Sequence, residues 1–309
     1  MTTALITHPA CERHATPSGH PEQIARMPAA LGALEGKDLL RVEAPMATDA
    51  DLLRVHPQRY IDKIRALAPR DETIALDGDT WMSPGSLEAV LACVGGCIRG
   101  VDMVMAGEAR NAFVGMRPPG HHAERETPMG FCVFGSVAAA AKHALEVHGL
   151  SRVAVLDFDV HHGNGTQDLL ESDARCFFAS SHQMPLFPGT GHAHETGGHN
   201  NVVNLPLSSG ARGDVFRRGW EREIFPAVER FEPELILVSA GFDAHAADPL
   251  ATLNLVEEDF AWVTEAICDL ADELCEGRVV SALEGGYDLR ALAASVAAHV
   301  DVLIARGSG

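Results

Sequence analysis

The chain has 309 residues, 46% of them hydrophobic, ample for a large buried core and consistent with one α/β domain spanning 1–309. Its formal charge of −19, with no basic patch, argues against a nucleic-acid partner, and no apolar run approaches the roughly 18 residues a membrane span needs. Seven cysteines without a C-x-x-C pair, and an N-terminus "MTTALITHPACERH" lacking a basic start or a long apolar stretch, predict a reduced, cytoplasmic protein with no disulfide framework and no cysteine zinc site.

In chain order, strands are expected at TALITH (3–8) and LLRVEA (39–44), a helix over Pro84–Met105, a strand at NAFVGM (111–116) and a helix over Cys132–His148. Strands RVAVLDFD (152–159), RCFFAS (175–180) and NVVNLPL (201–207) follow, then a helix over Asp214–Arg230. The C-terminal part reads as strand ELILVSAG (234–241), helix Glu257–Glu276, strand RVVSALEGG (278–286) and helix Leu289–Ala305. These strands are almost continuously apolar, as strands covered on both faces are. Eight of them alternating with helices predict an open three-layer α/β fold with a mainly parallel sheet. The irregular spacing, longest between the second and third strands, argues against a closed barrel.

Polar, glycine-rich segments follow five of the strands: RPPGHH, DFDVHH, SSH, GFDAHAADP and EGGY. In a parallel sheet that edge is where ligands bind, so one site built from five loops is expected. Asp159 and His161 form a D-x-H pair, an oxygen and a nitrogen suited to zinc or another first-row metal. A catalytic zinc needs a third protein ligand, and Asp243 and Asp248 are the carboxylates on offer at another strand end. His121 and His122, on a rigid turn, suit general base and acid work near neutrality. Asp157 and Asn164 are the candidates for fixing their tautomers. Tyr287, after two glycines, can stabilise an oxyanion opposite a metal. Each feature alone has a blander reading: a strand-end cap, surface histidines, a half-buried tyrosine. Together they point to metal-assisted hydrolysis without naming the bond cleaved.

"RPPGHHA", "GFCVFGSVA", "DFDVHHGNGTQ", "FPGTG", "GFDAHAADPL" and "EGGY" occur in the order found in the histone deacetylase and acetylpolyamine amidohydrolase superfamily, which the chain resembles from Arg117 to Tyr287. "SGHPEQIARM" and "VHPQRYIDKI" extend the likeness towards the N-terminus, and "HHGNGTQ" with "GFDA" looks most like the class II branch and its bacterial relatives. The resemblance implies an arginase-like open fold and hydrolysis of an Nε-acyl-lysine or a small acylated amine. It implies one zinc held by Asp159, His161 and Asp248, deciding for Asp248 over Asp243. His122 matches the general base and acid, His121 its electrostatic partner bonded to Asp157, and Tyr287 the oxyanion-stabilising tyrosine. Phe131 and Phe187 match the channel walls, and the Gly130 carbonyl matches an acceptor for the substrate amide. Arg26 matches the arginine of an internal acetate-exit region. A structural potassium ion is implied near Asp157, Asp159, His161 and Ser180. A homo-oligomer is compatible with this reading.

Three positions depart from the pattern. Asn164 stands where one branch has aspartate, and class II members share the asparagine. Phe158 replaces a tryptophan and is expected to point outward. Gly135 replaces an asparagine common among relatives, which loosens the start of a helix. At the pocket mouth, Leu250 occupies the position where a polyamine-selective relative has glutamate, which favours acyl-lysine. Glu12, Glu22 and Asp79 remain as acidic residues able to draw a polyamine. A silent acyl-lysine reader is disfavoured because Tyr287 is present. A dinuclear manganese hydrolase is disfavoured because His162 and Asn164 supply no extra carboxylates. The histidine-rich stretch Gly191–Asn200 reads as a solvated loop.

Overall fold

A computed structural model describes residues 2–308. The main sheet has eight strands: β1 (Thr3–Thr7), β2 (Leu40–Glu43), β5 (Asn111–Val114), β6 (Val153–Asp157), β7 (Cys176–Gln183), β8 (Val202–Leu207), β9 (Leu235–Ala240) and β10 (Val279–Leu283). They lie in the order β2-β1-β5-β10-β9-β6-β7-β8, and every neighbouring pair is parallel. A separate antiparallel pair, β3 (Ile74–Ala75) and β4 (Trp81–Met82), forms a small hairpin. The helices are α1 (Arg26–Gly32), α2 (Asp49–Leu52), α3 (Gln58–Leu67), α4 (Ser86–Met105), α5 (Ser136–Glu146), α6 (Asn164–Leu170), α7 (Gly213–Gly219), α8 (Phe225–Phe231), α9 (Glu257–Leu274) and α10 (Leu289–Gly307).

Side chains alternate across each strand, so the sheet divides two cores. Val153 and Val155 of β6 face α4 and α5 with Ile6, Val114 and Leu237. Ala154 and Leu156 face the other way, joining Phe113, Ile236 and residues of α9 and α10. This is the expected three-layer arrangement. All eight expected main-sheet strands form.

The helices differ more. The helix expected from Cys132 begins only at Ser136, because Gly130 and Phe131 both adopt positive φ (54° and 69°) and turn the chain towards the site. The stretch expected as one helix over Asp214–Arg230 is α7 and α8 joined by a π-helical turn, Trp220–Ile224. No helix among the described residues is long and apolar enough to cross a membrane.

Candidate active site

Because the strands run parallel, their carboxyl ends share one edge, and the loops after β5, β6, β9 and β10 meet there. Backbone Cα partners place Asp157 of β6 opposite Ser239 of β9, so the loops leaving these strands start level. Asp159 and Asp243 consequently reach the same point. His161 Nδ1 lies 3.1 Å from Asp159 Oδ1 and 3.1 Å from Asp243 Oδ2, and these three side chains form a convergent, buried ligand set. Glycine is required around it. A Cβ on Gly241 would stand 2.0 Å from Asp159 Oδ2, and one on Gly285 would stand 2.0 Å from Asp243 Oδ2.

Asp248, the third ligand that the resemblance implies, lies close enough to Asp243 for the two carboxylates to repel each other. It lies further along the loop, and each of its carboxylate oxygens accepts one backbone N–H, as those of Asp159 do, which leaves a lone pair on each for a metal. Oδ2 accepts from the Tyr287 N–H at 2.7 Å and Oδ1 from the Leu250 N–H at 3.0 Å. Its carboxylate therefore ties the loop after β9 to the loop after β10. Burial and the neighbouring Asp243 push its carboxyl up to about 7.

Asp157, Asp159, Asp243 and Glu284 are at most 1% exposed. Among the described residues none of them forms an ion pair with Lys or Arg; the imidazoles of His121 and His161 are the cationic partners. Buried negative charge without a fixed cation is costly, and this donor set fits a divalent metal. Burial alone would lower the His161 pKa, but Asp159 and Asp243 raise it to about 10. A cation bound among these groups displaces that proton.

The two tandem histidines are held differently. His121 Nδ1 lies 3.0 Å from Asp157 Oδ2. Burial opposes its charge, but Asp159, Asp157 and Glu284 outweigh this and hold its pKa well above the usual value. His122 Nδ1 lies 2.7 Å from Asn164 Oδ1. The Asn164 amide is oriented by Glu124, whose carboxylate accepts from Nδ2 at 2.8 Å. Asn164 Oδ1 can only accept, so His122 donates from Nδ1 and keeps the Nε2 lone pair free. Burial, then the His121 and His161 rings, push its pKa well down. Adjacent histidines, 4.0 Å between ring centroids, are thus pushed towards opposite protonation states, the pattern of an acid and base pair.

Two of these supports were not foreseen. Glu124 fixes the His122 tautomer from just beyond the HH pair. Glu284, which opens "EGGY", accepts from the Gly120 N–H at 2.7 Å, the His121 N–H at 3.2 Å and the Ser239 hydroxyl at 3.1 Å. The signal for Glu284 was a carboxylate at a strand end otherwise made of apolar residues.

His122, His161 and Tyr287 open into a pocket of about 350 Å³. Its walls include Gly130, Phe131, Phe187 and Leu250, all expected there, and its rim includes His20, Asp79 and Trp81. Phe131 meets the Tyr287 ring edge-on at 5.8 Å, and Phe187 meets His122 at 5.1 Å. Gly130 must be glycine: its φ is positive, and a Cβ would stand 2.4 Å from the His122 ring. Burial holds the Tyr287 phenol well above its usual pKa despite Arg26 lying 4.9 Å from the ring. The hydroxyl therefore keeps its proton as a donor.

Arg26 is fully buried, bonded to the Gly286 and Glu284 carbonyls and, at 3.1 Å, to Glu22. Glu22 is corrected from a mouth residue to an interior one: it is 0% exposed and paired with Arg117, Arg26 and His14. Glu12 is exposed but does not line the pocket, which leaves Asp79 of the three acidic candidates. Phe158 points inward instead of outward, packing in the core against Phe242, Phe260 and His299. Ser180 is the cross-strand partner of Asp157 and bonds His182 at 2.9 Å. Among the described residues, His192, His194 and His199 join no convergent ligand set.

Comparisons with known proteins agree with this fold. Residues 20–303 match a family model described as the histone deacetylase domain. The chain is similar to a protein of rice named histone deacetylase 10, chloroplastic, at 42% identity over 90% of this chain and 68% of that one. It is 43% identical to a histone deacetylase-like amidohydrolase of Pseudomonas aeruginosa, over 79% of this chain and 65% of that one. The crystal structure of an HDA15 HD domain superposes with a TM-score of 0.93 at 30% identity, covering 98% of this chain and 88% of that one.

Proposed function

The chain belongs to the histone deacetylase family, and on that premise we propose that it is a zinc-dependent amidohydrolase that removes acetyl or other short acyl groups from acyl-lysine. The observation that carries this reading is the convergence of Asp159, His161 and Asp243 beside a pocket that also exposes His122 and Tyr287. Asp159, His161 and Asp248 would hold the zinc, with Asp243 beside them. When bound, it supplies Lewis acidity, polarising the acyl carbonyl and lowering the pKa of a water.

The protein's own groups do the rest. His122 takes a proton from the attacking water at Nε2 and returns it to the leaving amine. His121, kept cationic by Asp157, stabilises negative charge as it develops. The Tyr287 hydroxyl donates to the oxyanion. Phe131 and Phe187 exclude water from an alkyl chain passing between them, and the Gly130 carbonyl accepts the amide hydrogen of the substrate. A structural potassium ion held near Asp157, Asp159, His161 and Ser180 is part of this proposal. The excess of buried carboxylates there supports a second cation.

Leu250 at the wall favours an acyl-lysine over a polyamine, which would need a carboxylate for its second ammonium. Asp79 at the rim supports the alternative reading, an acetylpolyamine substrate. The deciding experiment compares kcat/KM for an acetyl-lysine peptide with those for acetylated putrescine, cadaverine and spermidine. Preference for the peptide is expected. Preference for the polyamines transfers the substrate to the alternative, and no turnover of any of them by the zinc-loaded protein overturns the deacylase reading.

A further inference from the structure

Away from the pocket, Asp102, His143 and His148 bring three potential ligand atoms within 4.8 Å of one another. Asp102 lies in the last turn of α4 and His143 in the last turn of α5, while His148 follows the end of α5. Both histidine Nε2 atoms lie 2.7 Å from the same oxygen, Asp102 Oδ1, with ring centroids 5.3 Å apart. Among the described residues, the two imidazoles are the only ionic partners of Asp102.

Three further facts bear on what the cluster does. The His143 Nδ1 is buried with no hydrogen-bond partner, so among the described residues Nε2 makes the ring's only polar contact. The C-terminal ends of α4 and α5 carry partial negative charge, which favours a cation. The side chains of Asp102 and His148 are 37% and 22% exposed, which leaves an approach from solvent.

We propose that Asp102, His143 and His148 form a second metal site, a His₂Asp set that takes zinc or a similar divalent first-row cation and keeps an open position towards solvent. Two imidazole nitrogens and one carboxylate oxygen are a borderline donor set, suited to zinc, nickel or copper and poorly suited to magnesium or calcium. Tetrahedral zinc with bonds of about 2.0–2.1 Å separates its ligand atoms by about 3.3 Å. The contacts of 2.7 Å therefore need to open by only about 0.6 Å. Two of the ligands come from exposed or half-buried positions and can yield that much by small side-chain rotations. Bound there, the metal staples the ends of α4 and α5, which pack on the same face of the sheet. It is independent of the pocket and takes no part in the deacylation proposed above.

The test is a zinc count on the full chain. The protein is stripped with a chelator, dialysed against zinc and analysed for metal as wild type and as His148→Ala. Both are repeated in an Asp159→Ala background. His148→Ala is expected to lose one zinc equivalent in either background and to leave kcat for an acetyl-lysine peptide unchanged in the first. Zinc should raise the melting temperature of Asp159→Ala by several degrees and not that of the double variant. Asp102→Asn, which keeps the shape of the side chain, should repeat the loss and guards against a folding defect. Equal zinc content with and without His148→Ala in both backgrounds overturns the proposal and leaves a hydrogen-bonded cluster only.

Discussion

The chain has two tyrosines, and their surroundings predict opposite consequences for loss of the hydroxyl. Tyr287 lines the pocket, and among the described residues only its backbone enters a hydrogen bond. Tyr287→Phe therefore removes no bond that holds the fold, and the ring contacts with Phe131 and Arg26 survive. Its effect should fall on the oxyanion alone, a loss of roughly 10²–10³ in kcat, about 3 kcal/mol, with little change in substrate binding. Tyr60 donates to the buried Val133 carbonyl at 2.7 Å. Tyr60→Phe strands that acceptor and should cost about 1–3 kcal/mol of stability with kcat kept. The assay pairs steady-state turnover of an acetyl-lysine peptide with thermal melting for both variants. If Tyr287→Phe turns over like wild type, or if it melts lower while Tyr60→Phe does not, the assignment of the two hydroxyls is wrong.

Asp248→Ala should lose the active-site zinc and also displace Leu250 and Tyr287, whose N–H groups it accepts; full zinc occupancy in that variant, measured beside Asp243→Ala, would pass the third ligand to Asp243. Leu250→Glu should shift the kcat/KM ratio towards an acetylpolyamine by roughly 10-fold to 100-fold, the worth of one charge-assisted contact. The shift should shrink with added salt because the mouth is wet, and an unmoved ratio would pass the selecting role to Asp79. Burial pushes His56 down to about 4 and His299 to about 3, so both stay neutral in the folded chain while the unfolded chain binds protons near pH 6.5. The unfolded state then holds more protons below that pH, and stability should fall as pH drops from about 6.5 to about 4, by up to about 1 kcal/mol per pH unit for each group. His299→Leu should flatten that slope in urea titrations, and an unchanged slope would show that His299 titrates normally.

The eight strands were legible because each is an apolar run bounded by turn residues, and the polar loops at their carboxyl ends marked the site. The convergence of Asp243 on Asp159 and His161 was not legible from local pattern. It depends on β9 lying beside β6 with Asp157 level with Ser239, and strand order is a property of long-range packing. The same limit hid Glu22. Its place in the interior follows from Arg117 and Arg26 arriving from distant parts of the chain. Helix α3 and the β3–β4 hairpin escaped for another reason: α3 has ten residues and buries only Tyr60, Ile61 and Ile64, and the hairpin strands hold two residues each. The late start of α5 could have been read from Gly130, but the positive φ of Phe131 could not.

The position of β10 bears on when the protein can begin to work. It is the last strand in the chain, yet it lies between β5 and β9 and joins the N-terminal strands to the rest of the sheet. A chain emerging from the ribosome can pair β1, β2 and β5, and can assemble β6 to β9, but the two groups share no strand pairing until β10 is made. Glu284 and Tyr287 follow that strand, so the brace under His121 and the oxyanion donor arrive with the same segment that closes the sheet. A nascent chain released early would be a pair of half-sheets exposing two unmatched edges. Synthesis of the last strand thus acts as a single step that both completes the fold and arms the chemistry.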